Sequence, residues 1–246
     1  MVDRLSIRAR PPGPPIMHQS WGKLLFMHWA LPPEQLRPLV PRRLSIDTFE
    51  GAAWIGVVPF TMWGIRPPHL PPLPGLSRSH ELNVRTYVHL DGVPGVWFLS
   101  LDAAHPLMVW GARLAFHLPY FTARMELKQD GATIHYRSQR THRGAPPAVF
   151  DAVWTIGEAL PQAQPGSLEF FLTERYCLYA AHKDVLYRTR IFHPPWPLRR
   201  AGLERCASTM VEAHGLPTPR GAPLLHYAES LHVAVWPPRR VVAPAW

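Results

Sequence analysis

The sequence predicts an α+β fold that is mainly antiparallel β, a cone-shaped or open barrel of hairpins with a few short outer helices. Three observations predict it. Period-two segments follow one another across short turn signals, and segments with helical spacing are few and brief. The thirty prolines, about 12% of the chain against a usual ~5%, cluster between those segments as punctuation.

Taken in order, residues 1–16 are expected to be a disordered N-terminal segment and 17–246 a single domain. Trp21 to Leu31 fits either a strand or an i, i+3/i+4 stripe, and is read as a strand. Pro33 then opens a short helix with Leu36, Leu39 and Val40 inward. Ala53 to Trp63, rich in β-branched and aromatic residues, is a strand, and Pro67 to Pro74 a rigid extended loop. Leu82, Val84, Thr86 and Val88 alternate with Glu81, Asn83, Arg85, Tyr87 and His89. With the Asp91-Gly92 turn and Val96 to Asp102 this makes a hairpin.

His105 to His117 is a helix expected to bury Leu107, Met108, Trp110, Gly111, Leu114 and Ala115, broken by Pro119. Tyr120 to Leu127 and Thr133 to Arg140 form a second hairpin around Asp130-Gly131, followed by a strand from Val149 to Ile156. A helical turn at Leu168 to Thr173 precedes a third hairpin, Glu174 to Ala180 with Val185 to Phe192. A short helix within Leu203 to His214, capped by Gly215, and a closing strand in Leu224 to Trp236 complete the chain.

With 47% hydrophobic and 17% charged residues the chain can bury a sizeable core. The formal charge of +9 comes almost wholly from arginines scattered singly or in pairs, lysine being confined to Lys23, Lys128 and Lys183. No basic run or stripe concentrates them, so a non-catalytic protein binding nucleic acid or an acidic partner is the disfavoured alternative. Cys177 and Cys206 are too few for a disulfide scaffold and are expected to be reduced. The N-terminus lacks a signal-peptide pattern and no run of eighteen apolar residues occurs, which predicts a soluble, cytoplasmic protein away from membranes.

Fourteen histidines fall at no metal-ligand spacing, although His117, His135 and His193 are free to converge from a distance; no metal and no cofactor are expected. Phosphate loops, nucleophile elbows and dinucleotide fingerprints are missing, against the common nucleotide enzymes and hydrolases. What stands out is the polar face of the first hairpin, where Glu81, Asn83, Arg85 and Tyr87 sit among aromatics. It either lines a cavity or is a solvated outer face. Glu174-Arg175-Tyr176, at a strand start, is either a structural ion pair or a ligand contact.

WGKLLFMHWALPPEQLRPLVP, DTFEGAAWIGVVPFTMWGIRPP, ELNVRTYVHLDGVPGVWFLSLDA, FFLTERYCLY and HPPWPL together resemble the uncharacterised bacterial proteins related to YqjF, over about Trp21 to Trp236. Those proteins are grouped with the acetoacetate decarboxylase superfamily. The resemblance implies a cone-shaped antiparallel barrel around a small, largely apolar cavity. In the decarboxylase a lysine forms a Schiff base with the keto acid, its pKa lowered by an adjacent lysine. The matching place here runs from Gly111-Ala112-Arg113 through Pro119 to Tyr120 and Phe121, so both lysines are missing.

The resemblance therefore implies a cavity that binds or transforms a small, anionic, keto-acid-like metabolite without Schiff-base chemistry; whether the chain is an enzyme stays open. Tyr120, His117 and Glu81 are the candidates for proton transfer. Asn83, Arg85, Tyr87, Asp102 and Glu174 are the candidates for ligand binding, with Arg85 holding the anion.

Overall fold

The computed structural model describes residues 2–72 and 77–241; the end of the expected Pro67 to Pro74 loop lies outside them. Among the described residues thirteen strands form one sheet, in the order β13-β10-β9-β5-β6-β7-β8-β11-β12-β1-β3-β4-β2. They are β1 Met17–Leu31, β2 Ser45–Ile46, β3 Ala53–Arg66, β4 Arg78–Leu90, β5 Val93–Ala103, β6 Tyr120–Asp130, β7 Thr133–Arg140, β8 Val149–Ala159, β9 Cys177–His182, β10 Val185–Phe192, β11 Leu198–Ser208, β12 Leu224–Val235 and β13 Arg239–Arg240. The helices are α1 Pro33–Leu36, α2 Pro106–Phe116 and α3 Leu168–Thr173. Among the described residues no helix is long and apolar enough to cross a membrane.

Two further pairings, β10 with β12 and β5 with β4, close the sheet on itself twice. Strands β1, β3, β4, β5, β9, β10 and β12 make one ring, and β1, β3, β4, β5, β6, β7, β8, β11 and β12 make another. The five strands common to both are a wall with an interior on each side. That is why β3 is buried almost end to end instead of alternating. All pairings are antiparallel except β5 with β6 and β5 with β9. The β5–α2–β6 crossover supplies the first of these, since parallel neighbours cannot be joined by a tight turn.

Side-chain parity decides which interior each residue enters. Leu25, Met27, Val57, Leu82 and Val84 meet Tyr136, Phe150 and Trp154 in the larger ring's core. Leu24, Phe26, Val58, Phe60 and Met62 face the smaller ring with Ile191, Trp196 and Val235. In β1 the parity flips at a bulge. Lys23 has a left-handed φ of 50°, and a Cβ on Gly22 would lie 2.2 Å from the Glu229 carbonyl oxygen. Met17, Gln19 and Trp21 share a face before it, and Leu24 joins that face after it. The three-residue step from Trp21 to Leu24 is what imitated a helical stripe in the sequence.

In the N-terminal segment Ile7 is buried, and Arg4 reaches Asp47 at 2.5 Å. Two other expectations need correction. Leu203 to Ser208 belongs to β11, and only Glu212–His214 forms a helical turn, closed by Gly215 at φ 75°. In α2 the residues Leu107, Trp110 and Leu114 are more than 60% exposed, and Val109 is the buried one. The helix turns Met108, Gly111, Ala112 and Phe116 toward the cavity described below.

Candidate functional site

The smaller ring surrounds a cavity of about 300 Å³ that is partly open to solvent. Its wall is largely aliphatic and aromatic, with Leu24, Val58, Phe60, Leu101, Ile191 and Trp196 among its residues, and α2 covers it with Met108, Gly111, Ala112 and Phe116. Against this background a few polar side chains enter: Gln19, Glu81, Asn83, Arg85, Tyr120 and Thr189. Glu81, Asn83 and Arg85 are successive same-face positions of β4, so strand periodicity alone aligns them.

Glu81 is 3% exposed and accepts a 2.7 Å hydrogen bond from the Tyr120 hydroxyl. Burial pushes its carboxyl up to about 7, against the pull of the Tyr120 and Asn83 hydrogen bonds, and nearby Asp102 adds to the rise. Burial raises the Tyr120 phenol well above its ordinary value, reinforced by Glu81. The pair is thus a neutral phenol donating to a carboxyl that titrates near neutrality, a state suited to giving or taking a proton.

Three buried polar atoms around the cavity lack a hydrogen-bond partner among the described residues: Asn83 Oδ1, Arg85 Nε and Trp21 Nε1. Each such orphan costs ~1–3 kcal/mol, so the site is assembled against the preference of the fold. The Arg85 guanidinium lies over the rings of Phe26 and Tyr87, 5.3 Å and 5.8 Å from their centroids, with no carboxylate against it among the described ion pairs.

Of the residues expected at a site, Glu81, Asn83, Arg85 and Tyr120 come together, and four go elsewhere. Tyr87 is wholly buried behind Arg85, its hydroxyl 2.6 Å from His28 Nε2 and its ring against Phe171 and Arg175. Asp102 pairs in register with Leu82 and so faces the larger ring, where Arg140 binds it through Nε and Nη2 at 2.8–3.1 Å. Its neighbour Leu101, opposite Asn83, takes the cavity position. Glu174 accepts hydrogen bonds from the Trp196 backbone at 3.0 Å and from the Tyr176 hydroxyl. It holds in place a loop whose Trp196 lines the cavity.

His117 ends α2 in a left-handed conformation and stacks on His182 at 4.5 Å, in a separate recess of about 570 Å³ that also includes Arg113 and His214. His135 pairs with Asp151, and His193 stacks on Tyr176. Among the described residues no three metal-type side chains converge. None of the three lysines lines the cavity: Lys23 pairs with Glu229, Lys128 with Glu126, and Lys183 sits at the β9–β10 turn. Sequence reasoning missed Gln19, Trp21, Met108 and Trp196. A parity flip at Gly22-Lys23 would have revealed the first two; Met108 and Trp196 carry no local signal.

The double ring with a covered apolar cavity defines the acetoacetate decarboxylase-like class of fold. The enduracididine biosynthesis enzyme MppR, solved with pyruvate, is similar over 95% of this chain and 93% of its own, with a TM-score of 0.66 at 12% identity. An acetoacetate decarboxylase-like enzyme from Sphingomonas wittichii RW1 covers 94% of each chain with a TM-score of 0.63 at 12% identity. The acetoacetate decarboxylase of Legionella pneumophila covers 94% of this chain and 88% of its own, with a TM-score of 0.60 at 14% identity. Within that class the chain belongs to the DUF2071 family, described as an uncharacterized conserved protein, whose model matches residues 18–232. It is 44% identical over 230 residues, 94% of each chain, to the uncharacterized protein YqjF of Bacillus subtilis (strain 168).

Proposed function

We propose that the chain binds a small carboxylate-bearing metabolite in the ring cavity and does so without amine chemistry. The observation that carries this is that Arg85, Trp21 and Asn83, each with a buried polar atom (Nε, Nε1 and Oδ1) lacking a partner, lie in the wall of a mostly apolar chamber. Two are donors and one is an acceptor, a pattern that an oxyanion beside a hydroxyl or amide would satisfy. Arg85 supplies the charge and pairs with the carboxylate. Glu81, protonated below about pH 7, receives a neighbouring carbonyl or hydroxyl together with Tyr120. The carboxylate and carbonyl of pyruvate, with which MppR was solved, are the kind of head group this set would recognise.

If the chain is also a catalyst, its reaction is a proton transfer at a carbon or oxygen next to that carbonyl, with Glu81 as the exchanging group. Schiff-base formation requires an amine, and no lysine side chain reaches the cavity. Calorimetric titration with pyruvate, acetoacetate and related acids tests the reading on the wild type and Arg85→Ala. The expected outcome is a loss of ~10- to 100-fold in affinity in the variant, the worth of one charge-assisted hydrogen bond. Equal binding by both proteins removes Arg85 from the site. Borohydride treatment with a keto acid is expected to leave no lysine adduct.

A further inference from the structure

We propose that the ligand is a carboxylic acid with an apolar tail of about six to ten carbons, and not a three- or four-carbon acid. The proposal rests on the anion-binding reading above and extends it to the rest of the chamber. The cavity of about 300 Å³ has twice the ~150 Å³ that lets a protein cavity lined by Leu, Ile and Phe take up benzene. A four-carbon acid at Arg85 leaves most of that space to be filled by water. Each water needs two to four polar partners, which the part of the lining beyond Phe60 does not provide.

The register shows where the apolar part goes. Along β3, Gly56 lies opposite Arg85, Val58 opposite Asn83 and Phe60 opposite Glu81. The polar column therefore ends at the level of Phe60. The strand runs on past it with Met62 and Ile65 still facing the cavity, and Met17 of β1 and Met108 and Phe116 of α2 close in around them. Gln19 is the single polar side chain on that stretch. Three methionines at one end of a cavity make a lining that adapts to flexible hydrocarbon. The head group sits between Arg85 and Glu81, and the tail extends under α2.

Straight-chain carboxylates from acetate to decanoate, titrated at pH 6.5 and followed by the fluorescence of Trp21 and Trp196, test this. Affinity is expected to rise about fourfold per added methylene until the chamber is full, then level off. Met108→Trp, which fills the tail end, is expected to weaken octanoate at least tenfold and to flatten the rise of affinity with chain length. Affinity that is flat or falls with chain length overturns the proposal, as does octanoate binding unaffected by Met108→Trp. The matching alkanols separate this from the reading it rests on. If alkanols show the same slope and carboxylates no advantage, the anion reading fails and the apolar chamber stands. If short acids bind through Arg85 with no slope, the tail fails and the anion reading stands. Absence of binding across both series overturns both.

Discussion

The wall of β12, β1, β3, β4 and β5 has two buried faces, and the chain treats them in opposite ways. On the larger ring's side Tyr136, Phe150 and Trp154 fill the interior, and the Tyr136 hydroxyl donates to the Glu81 carbonyl at 2.9 Å. The buried charge on that side, Asp102, is matched by Arg140. On the other side a chamber is left open, Arg85 has no carboxylate against it among the described residues, and Glu81 carries a raised pKa. Close packing and paired charge mark the side that holds the fold together. Empty volume and a guanidinium without a carboxylate mark the side whose contacts are completed by something else.

Removing one arginine from each side is the strongest way to break this comparison. Arg140→Ala leaves Asp102 buried without its partner and is expected to cost about 3–5 kcal/mol in denaturant-monitored unfolding. Arg85→Ala deletes a guanidinium whose Nε is unpartnered, so stability is expected to stay the same or rise, while ligand affinity falls. If Arg85→Ala destabilised the protein as much as Arg140→Ala, the distinction between the two faces would collapse.

Much of the hollow face was legible in advance. Strict alternation from Glu81 to Val88 fixed which β4 residues share a side, and the hairpins at Asp91-Gly92 and Asp130-Gly131 are where their turn residues put them. What was not legible depended on partners. Counting residues from the turn puts Asp102 on the cavity side, but its parity is set by pairing with Leu82, and a bulge at Val84/Arg85 shifts the count. β11 has a weak sequence periodicity that also fits a short helix, because seven of its residues from Arg199 onward are exposed and its pattern makes sense only with β8 beside it. His117 looked like a pocket residue from its nearness to Tyr120, but the left-handed cap of α2 turns it away. The Arg4–Asp47–Arg175 cluster joins three distant segments, and no local pattern announces it.

A second, smaller effect uses pH. A carboxyl whose folded pKa is raised keeps its proton in the native state while the unfolded chain releases it, so stability falls as pH rises. For Glu81 the fall runs from its ordinary 4.5 to about 7 and levels off above. The total is roughly 3 kcal/mol for a shift of this size in a fully buried group. Glu81→Gln is expected to match the wild type near pH 4 and exceed its unfolding free energy by up to that amount at pH 8. A wild-type stability difference between pH 4.5 and 8 unchanged by the substitution would mean that Glu81 is not the group holding the proton.

The smallest expected effect sharpens the comparison through glycine. Gly111 lies within α2, lines the cavity, and a Cβ built on it meets nothing within 4 Å. Gly111→Ala therefore adds a methyl group to open space and replaces the most costly ordinary helix residue with the best, a gain of ~0.5–1 kcal/mol. Gly95 is the contrasting case: its Cβ would come within 2.7 Å of the buried Tyr179 ring, in a cluster with no room to yield. Gly95→Ala is expected to lower the melting temperature while Gly111→Ala raises it. The same methyl group that stabilises α2 also intrudes on the chamber beneath it, so a higher melting temperature with weaker uptake of long carboxylates is the joint signature of a cavity kept open at the expense of stability. A Gly111→Ala protein that is less stable than the wild type would show that the space beneath α2 is already filled.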